Sequence, residues 1–340
     1  MNWAFVLNSI MENKNVDGSH LTNNKAMLSM SILNESQPKP FVDSLPASPS
    51  SSESTELERE ETRIRKKVAI QGYPGSFHDE VCHQHFGDQA ESIPTDSFDL
   101  LAKILSAGEA DAAVMAIENS IAGTILQNYR ILREYGFWIV GERYLRIKHN
   151  LLAYPGVKIE EIKEIHSHPM ALNQCIKFLR NYPEIKLVET EDTALSALKV
   201  IENNSLDIAS VSSVKAAELY GLDVLESGIE TSKSNYTRFF ILEKESGTNI
   251  ENADKASIYI RITDKKGQLL KVLQVIHDHD LNMSKLQSFP VMGRIREYFF
   301  HLDIEFDEIS QYESLKEDLM DCTHEYTELG IYKKDDIKIC

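Results

Sequence analysis

Residues 234–240 carry the sequence SNYTRFF, in which polar groups stand directly before an apolar run that extends from Phe239 to Leu242. A short apolar run of this kind is typical of a buried strand. The end of such a strand holds a hydroxyl and a charged group in a fixed geometry at the border of a core. Thr237 is therefore a candidate hydrogen-bond donor, and Arg238 a candidate clamp for a carboxylate, because its planar fork pairs with two oxygens at once. On this stretch alone, an edge strand with an ordinary surface arginine is the simpler interpretation.

The composition limits the classes of protein to which the chain can belong. Its 340 residues allow two or three domains of ordinary size, and 42% hydrophobic residues are enough to build their cores. The formal net charge of −17 argues against a nucleic-acid partner, which requires a basic face. A site for an anionic substrate would have to be locally positive within this repulsive field.

Cysteine use and hydropathy predict a cytoplasmic protein that has no membrane partner. The cysteines show no metal-type spacing, which fits a reducing compartment; they are Cys82, Cys175, Cys322 and Cys340. No apolar run approaches the ~18 residues that a membrane helix needs. The first ten residues lack the basic start and the long apolar core of a signal peptide.

Residues 1–66 are predicted to form a disordered N-terminal extension. Prolines, then serines, then glutamates dominate from residue 36 to residue 61, so little apolar surface is available to offset the entropy of ordering. A targeting or regulatory segment is the functional alternative for this stretch.

Residues 67–245 alternate between strand and helix patterns, which predicts an α/β fold with parallel sheets in two lobes and a cleft between them. Glu118, Asn119 and Ser120 follow an apolar strand directly, at the sheet edge where α/β proteins bind ligands. Loop polarity and helix capping are the plain alternative for these three residues. Glu118 weighs against that alternative, because a carboxylate directly after a buried run generally has a specific partner.

Two further stretches carry polar groups at predicted helix starts. The sequence GYPGSF at residues 72–77 predicts a tight turn from strand to helix, whose backbone amides can meet an anion. It is not a Walker loop, because no Gly-Lys-Ser/Thr follows. Ser167 is expected to cap the next helix, with Pro169 in its first turn. His168 is interpreted as a capping-turn residue in preference to a ligand-site histidine.

The pattern changes after a polar linker at residues 246–254. Residues 255–340 predict the order βαββαβ, with apolar alternation in the strands, a helical stripe at residues 269–276 and a last strand at 331–339. This order is the split ferredoxin-like plan of a small α+β module. Modules of this kind generally bind ligands and carry out no chemistry.

Taken together, five stretches resemble prephenate dehydratase: GYPGSF at 72–77, AIENSIAG at 116–123, SHPMAL at 167–172, DTA at 192–194 and NYTRFF at 235–240. They occur in the family's order and precede an ACT-like module, so the resemblance covers nearly all of residues 67–340. It implies two periplasmic-binding-protein-like lobes with the active site between them, and a C-terminal ACT domain that binds phenylalanine. It also implies the conversion of prephenate to phenylpyruvate in phenylalanine biosynthesis, without metal or cofactor, by a homodimer or tetramer.

The resemblance assigns roles to residues of this chain. Thr237 matches the family's catalytic threonine and is expected to donate a hydrogen bond to the departing hydroxyl. Glu118 is expected to orient Arg238 or a backbone amide without touching substrate. Met170 stands where many relatives have Gln, and a thioether cannot replace an amide donor, so it is left out of the polar site. The substrate anion is assigned to the polar groups of Arg238, Asn119, Ser120, Ser167 and Asn235.

The C-terminal module departs from the family in its expected effector site. The family grips phenylalanine with a Gly-Ala-Leu-type turn and a Glu-Ser-Arg-Pro segment, which here read GQLL at 267–270 and QSFP at 287–290. Loss of the charged pair predicts weak or altered inhibition by phenylalanine, since Gln287 and Phe289 replace it. The expected effector residues are Gly267, Leu269, Gln287, Ser288 and Pro290.

Two other functions remain open at this point. One is arogenate dehydratase, whose substrate carries an amine on the side chain. The other is a non-catalytic small-anion binding protein with an ACT sensor domain, against which Thr237 and the missing signal peptide argue. A fused chorismate mutase is not expected, because that activity needs a long helical segment and the N-terminal extension is interrupted by prolines.

Overall fold

The computed structural model describes residues 65–245, 252–263, 265–291, 293–294 and 297–335. The expectations for the N-terminal extension up to residue 64, for linker residues 246–251 and for residues 336–340, including Cys340, lie outside the described residues. No helix in the described ranges is long and apolar enough to span a membrane.

A mixed sheet forms the first lobe, with strands in the order β2-β1-β3-β11-β5 and β4 paired to β3. Three α-helices and a short 3₁₀ helix at Gly87–Gln89 accompany it. The strands are β1 Lys66–Gln71, β2 Ala90–Thr95, β3 Ala112–Asn119, β4 Gly123–Thr124, β5 Trp138–Arg146 and β11 Tyr236–Glu243. The helices are α1 Phe77–Phe86, α2 Phe98–Ala107 and α3 Leu126–Tyr135.

The second lobe is built on a sheet in the order β10-β6-β9-β7-β8. Its strands are β6 Asn150–Ala153, β7 Glu164–Ser167, β8 Lys186–Glu189, β9 Ile208–Ser212 and β10 Asp223–Ser227. Its helices are α4 Pro169–Gln174, α5 Ile176–Leu179, α6 Thr193–Glu202 and α7 Val214–Tyr220, with a 3₁₀ helix at Ile159–Glu161. The chain crosses between the lobes twice, at residues 147–149 and 228–235.

Only part of each sheet is parallel, which corrects the expectation of parallel sheets. In the first lobe β1 is parallel to β2 and β3, whereas β11 is antiparallel to both β3 and β5. In the second lobe β7 is parallel to β8 and β9, whereas β6 is antiparallel to β9 and β10. The physical reason is the return crossing: β11 enters the first lobe from the second and inserts between strands that run the other way.

The C-terminal module has the predicted order βαββαβ and an antiparallel sheet in the order β13-β14-β12-β15. The last strand within the described residues spans Glu325–Tyr332, so it begins six residues before the strand expected at 331–339, whose residues 336–339 lie outside the described chain. The exposed residues in its first half are the polar Glu325 and Thr327, and Glu328 is also charged, so this half lacks the apolar pattern of a strand. The elements are β12 Lys255–Ile262, α8 Gln268–Asp278, β13 Asn282–Pro290, β14 Tyr298–Glu305, α9 Ile309–Cys322 and β15 Glu325–Tyr332.

One face of the C-terminal module packs on the first lobe. Tyr259, Leu329 and Tyr332 of the module share a buried apolar cluster with side chains of α3, β5 and β11, including Tyr129 and Phe240. Burial of these aromatic rings removes a large apolar area from water, which stabilises the contact. The backbone of β15 also approaches that of β5 closely: a Cβ atom added at Gly330 would collide with the carbonyl oxygen of Ile139.

Candidate active site

A cavity of about 510 Å³ lies between the two lobes. Strand ends and helix starts of both lobes form its wall. The first lobe contributes His78, Asn119 and Thr237, among others, and the second contributes Gln174 and Asp192. A cavity of this size and position matches the usual description of a small-molecule site.

Four helices begin at the wall of this cavity. Their N-cap residues are Ser76 for α1, Ser97 for α2, His168 for α4 and Asp192 for α6, and all four line the cavity. The free N–H groups and dipole of a helix start favour negative charge. No lysine or arginine of the described chain lines the cavity. The carboxylates of Asp96, Glu191 and Asp192 also line the cavity, so backbone amides at the helix starts are the groups of this wall that favour an anion.

The glycine-rich turn at residues 72–75 joins the lobes. Gly72 has φ +92°, and a Cβ added there would lie 2.6 Å from Asp192 Oδ2 in the second lobe. A Cβ at Gly75 would lie 2.9 Å from the Cα of Ala216 in α7. The Tyr220 hydroxyl donates to the carbonyl oxygen of Pro74 at 2.6 Å. Only glycine fits this close contact, so the turn sets the distance between the lobes as well as the start of α1.

Thr237 and Asn119 lie opposite each other on neighbouring strands at the cavity wall. Asn119 Nδ2 donates to Thr237 Oγ1 at 2.9 Å, and Asn119 Oδ1 accepts the backbone N–H groups of Ile121 and Ala122 at 3.0 and 2.8 Å. The Thr237 oxygen is thus an acceptor within the protein. Its own hydrogen has no acceptor among the described residues and is available to a ligand in the cavity.

Arg238 does not reach the cavity, which corrects the expectation of a carboxylate clamp. Its side chain is 3% exposed and lies between the first lobe and the C-terminal module. The guanidinium pairs with Glu142 at 2.6 Å and with Asp303 at 2.6 Å. The physical reason is strand geometry, because successive side chains of a strand point to opposite faces. With Thr237 in the cavity, Arg238 must face the other way.

The Arg238 ion pairs belong to a buried cluster of opposite charges. Lys255 Nζ donates to Glu142 Oε1 at 3.0 Å and lies 3.6 Å from the partly exposed Glu305, so two cations face two buried carboxylates and one at the margin of the cluster. Burial alone would raise the pKa of Asp303, but the positive charge of Arg238 holds it well below the usual range of a carboxyl. The Ser257 hydroxyl also donates to Asp303 Oδ1 at 2.6 Å. This cluster joins β5 and β11 of the first lobe to β12 and β14 of the module.

Glu118 and Ser120 take structural partners in place of the expected ones. Glu118 is the neighbour of Asn119 and points to the opposite face, where Lys285 of β13 pairs with it at 2.9 Å. It therefore orients neither Arg238 nor a substrate. Ser120 Oγ donates to the carbonyl oxygen of Ser234 and accepts from the backbone N–H of Tyr236, both at 2.9 Å. Ser120 closes a loop and is absent from the described cavity wall.

The start of α4 also differs from the expectation. Ser167 is fully buried and donates to the carbonyl oxygen of Val211 at 2.6 Å, so it neither caps the helix nor faces the cavity. His168 is the N-cap instead, since its Nδ1 accepts the backbone N–H of Met170 at 3.2 Å. The preferred capping interpretation of His168 is thus correct, and the same residue lines the cavity. Met170 lines the cavity as an apolar group.

Asn235 acts through other side chains. It is fully buried and accepts from Asn119 Nδ2 at 2.8 Å, while its own Nδ2 donates to Gln174 Oε1 at 2.9 Å. Gln174 in turn contacts His149 Nε2 at 2.9 Å. Sequence reasoning missed Gln174 and His149. Gln174 stands four residues after Met170 and so shares its helix face, whereas no local pattern marks His149.

Burial lowers the pKa of each histidine of the wall, His78, His149 and His168, which disfavours a positive charge on them. Burial lowers the pKa of His78 to about 3, and the ring lies against Phe98 and Phe239. Burial also lowers the pKa of His149 from its usual value. Burial raises the pKa of Asp192, whose carboxylate caps α6 by accepting the N–H of Leu195 at 2.8 Å.

The expected effector residues lie in the C-terminal module at two elements. Gly267 is the N-cap of α8 with φ +83°, and Leu269 packs against the module's apolar core. On β13, Gln287 is half-buried and donates to the carbonyl oxygen of Ser288 at 3.1 Å, whereas Ser288 and Pro290 are exposed. Phe289 packs on Tyr129 of the first lobe, with ring centres 5.3 Å apart.

Comparison with known proteins identifies a matching family model and similar relatives. A family model described as prephenate dehydratase matches residues 68–247. The chain is 35% identical over 229 residues to the chloroplastic arogenate dehydratase/prephenate dehydratase 1 of Arabidopsis thaliana, a match that covers 67% of this chain and 58% of the relative. The chain therefore spans less than two thirds of that relative's length.

Two solved structures resemble the fold over most of the chain. GqqA, described as a novel type of quorum-quenching acylase, superposes with a TM-score of 0.72 at 29% identity, covering 79% of this chain and 98% of that one. The prephenate dehydratase of Arthrobacter aurescens, solved in complex with L-Phe, superposes with a TM-score of 0.69 at 26% identity. That match covers 78% of this chain and 90% of the other.

Proposed function

The chain belongs to the prephenate dehydratase family, and from that premise we propose that it converts prephenate to phenylpyruvate by decarboxylative dehydration. The observation that carries the proposal is the available hydroxyl hydrogen of Thr237, held at the wall of a cavity where four helices begin. The substrate needs both features, a donor for its leaving group and an environment that accepts negative charge.

The reaction places clear demands on a site. Prephenate carries two carboxylates and a ring hydroxyl. When carbon dioxide leaves, its bonding electron pair moves through the diene and expels the hydroxyl, which takes up a proton and departs as water. The ring becomes aromatic, which supplies much of the driving force. The electrons rearrange within the substrate, so the proposed reaction calls for no metal or cofactor.

Thr237 is the proposed donor to the departing hydroxyl. A threonine hydroxyl is a poor acid near neutral pH, so full proton transfer from Thr237 is not required. A hydrogen bond from Thr237 strengthens as negative charge develops on the leaving oxygen, and this lowers the barrier to its departure. Asn119 supports this role because it occupies the Thr237 oxygen as a donor and leaves the hydrogen free.

The helix starts are the proposed anion site. Arg238 is committed to Glu142 and Asp303, so the carboxylates of the substrate are assigned to backbone amides of α1, α2, α4 and α6. Amides that are fixed in a helix need no reorganisation when the dianion binds. Such a site also overcomes the repulsion expected from the net charge of −17.

Arogenate dehydratase is the second candidate function. Arogenate carries an ammonium group, and two carboxylates of the second lobe, Glu191 and Asp192, line the cavity and could pair with it. The Arabidopsis relative carries both activities in its name. Comparison of kcat/KM for prephenate and arogenate with the purified full chain separates the two candidates.

The C-terminal module is proposed to be an ACT domain that binds L-phenylalanine and inhibits. Support comes from its βαββαβ order and from the Arthrobacter relative, which was solved with L-Phe. In this proposal the catalytic region is 67–245, the linker 246–254 and the ACT domain 255–340, in a homodimer or tetramer. The effector would contact the turn at Gly267 and Leu269 and the segment from Gln287 to Pro290.

The test is a direct assay for phenylpyruvate with prephenate as substrate. We expect the full chain to form phenylpyruvate and the Thr237→Ala variant to lose most of this activity while keeping its fold. Absence of phenylpyruvate from prephenate and of phenylalanine from arogenate would leave the binding-protein interpretation as the better one.

A further inference from the structure

A continuous chain of hydrogen bonds runs from Thr237 to the second lobe. Asn119 Nδ2 donates to Thr237 Oγ1 at 2.9 Å and to Asn235 Oδ1 at 2.8 Å. Asn235 Nδ2 donates to Gln174 Oε1 at 2.9 Å, and the same oxygen lies 2.9 Å from Nε2 of His149. We call these five side chains the hinge relay, because Asn235 and His149 lie in the two crossings between the lobes.

Backbone amides fix the direction of the relay at its first-lobe end. Asn119 Oδ1 accepts two backbone N–H groups, from Ile121 and Ala122, so its amide cannot be reversed without losing both bonds. The Nδ2 group of Asn119 must then face Thr237 and Asn235. Because Asn119 Nδ2 is a donor, the side-chain oxygen of Asn235 must face it and accept. The side-chain nitrogen of Asn235 then faces Gln174 and donates to its oxygen, and this oxygen also faces His149.

The second-lobe end independently supports the same direction. His149 is 3% exposed, and its Nδ1 has no hydrogen-bond partner within the described structure. A hydrogen on Nδ1 would be buried without an acceptor, which is costly. The hydrogen of the neutral ring therefore belongs on Nε2, where Gln174 Oε1 accepts it. Both ends of the relay thus require the same donor and acceptor order.

The relay lies where the lobes are joined. Ile147 of one crossing donates its backbone N–H to the carbonyl oxygen of Asn235 in the other at 2.7 Å. The backbone of His149 is held by Glu230 Oε2 at 3.0 Å. Displacement of the second lobe would separate Gln174 from Asn235, since these two side chains belong to different segments.

From this arrangement, and resting on the proposed function, we infer that Gln174 and His149 are positioning residues for the dehydration. They hold Asn235, and through it Asn119, in the orientation that keeps the Thr237 hydroxyl hydrogen directed to the substrate. Neither residue needs to touch the leaving group. The relay thus adds support from the second lobe to an orientation of Asn119 that the backbone amides of Ile121 and Ala122 fix from the first lobe.

The kinetic test uses pairs of variants that keep or remove one bond. Gln174→Met removes the shared acceptor with little change in shape, and we expect kcat to fall about tenfold, equivalent to ~1.4 kcal/mol, with a smaller change in KM. Gln174→Glu keeps the acceptor and should recover most of kcat, while its charge raises KM for an anionic substrate. His149→Phe should behave like Gln174→Met, and His149→Gln, which keeps an N–H near the same place, should recover activity.

A matched control and a clear contrary result complete the kinetic test. Gln84→Met makes the same exchange at an exposed glutamine of α1 that bonds only Glu80 among the described residues, and it should leave kcat unchanged. If wild-type protein forms phenylpyruvate and Gln174→Met and His149→Phe keep wild-type kcat, the inference is wrong although the proposed function stands.

A measurement without turnover separates the inference from the proposed function. In protein labelled with ¹⁵N histidine, the His149 signal, assigned by its loss in His149→Gln, should show a neutral ring with hydrogen on Nε2 near neutral pH. Gln174→Met should perturb that signal. A ring with hydrogen on Nδ1 would overturn the relay even if the enzyme were active, and an Nε2–H ring in a protein without dehydratase activity would overturn the function alone.

Discussion

Thr237 and Arg238 are adjacent in sequence but face opposite sides of β11: Thr237 lines the cavity between the lobes, and Arg238 is buried against the C-terminal module. The same division occurs on β3, where Asn119 faces the cavity and Glu118 pairs with Lys285 of the module. Thr237 and Asn119 therefore each have a sequence neighbour that is bound to the module.

Loss of the Thr237 hydroxyl tests the proposed donor. We expect Thr237→Ala to lower kcat by about 10²–10⁴-fold with a smaller change in KM, because a hydrogen bond that strengthens in the transition state is removed. Thr237→Ser keeps the hydroxyl and should retain more activity. A Thr237→Ala enzyme within threefold of wild type would contradict the assignment.

Replacement of Arg238 tests whether this residue stabilises the contact with the C-terminal module or binds the substrate. Arg238→Met leaves Glu142 and Asp303 buried with fewer partners, so we expect the free energy of unfolding to fall by about 3–5 kcal/mol. The KM of the folded fraction should change little. Urea unfolding and steady-state kinetics measure the two quantities separately. Unchanged stability with a strongly raised KM would restore the clamp interpretation.

Removal of the contact between Lys285 and Glu118 tests whether the module acts on the active site through these two residues. We expect Lys285→Met to keep basal activity but to weaken inhibition by L-phenylalanine by roughly fivefold or more, since a coupling contact is lost. Lys316→Met is the matched control, because Lys316 pairs with Glu328 inside the module at 2.9 Å. Equal inhibition curves for wild type, Lys285→Met and the control would exclude this route.

Substitution of Gly72 tests the contact between the lobes. Gly72 and Gly108 both have positive φ, +92° and +76°, but only a Cβ at Gly72 meets another group, Asp192. Gly72→Ala and Gly108→Ala should both lose about 1–2 kcal/mol of stability through backbone strain. Only Gly72→Ala should also raise KM, because it pushes the start of α6 away. A similar KM for both variants would show that the turn does not set the site.

His78 gives a prediction for acid stability. Its pKa is lowered to about 3 from an ordinary value of 6.5, so between these pH values the unfolded chain binds a proton that the folded protein does not. Stability should therefore fall as pH drops from 6.5 toward 3, by at most about 1.4 kcal/mol per pH unit from this group. His78→Gln should flatten this slope in urea unfolding. An unchanged slope would mean that another group is responsible.

Local sequence patterns predicted most elements of the fold but missed β2. Ser97 and Asp192 are typical N-cap residues that stand before apolar helical periods in the sequence, and α2 and α6 begin directly after them. Strand β2, with the sequence AESIPT, escaped because Pro94 and polar residues interrupt it. Proline is tolerated there because β2 lies at the edge of the sheet.

The candidate site was predictable only in part. The two-residue period of a strand already excludes Thr237 and Arg238 from the same face, and this argument needs no coordinates. Local patterns do not identify Asp303 as the partner of Arg238, because Asp303 lies 65 residues away in the C-terminal module. Gln174 and His149 likewise acquire their role only through contacts between distant segments.

The contact between the C-terminal module and the first lobe limits how this protein can evolve. A first lobe without the C-terminal module would expose Tyr129, Phe240 and the Glu142–Arg238 ion pair to water, and this pair would lose its partners Lys255 and Asp303. Gene truncation or exchange of the module for an unrelated one would therefore be expected to yield an aggregation-prone product. We therefore expect the first lobe and the module to be inherited together, and a substitution in the β12 or β14 part of the cluster to call for a compensating one on β5 or β11.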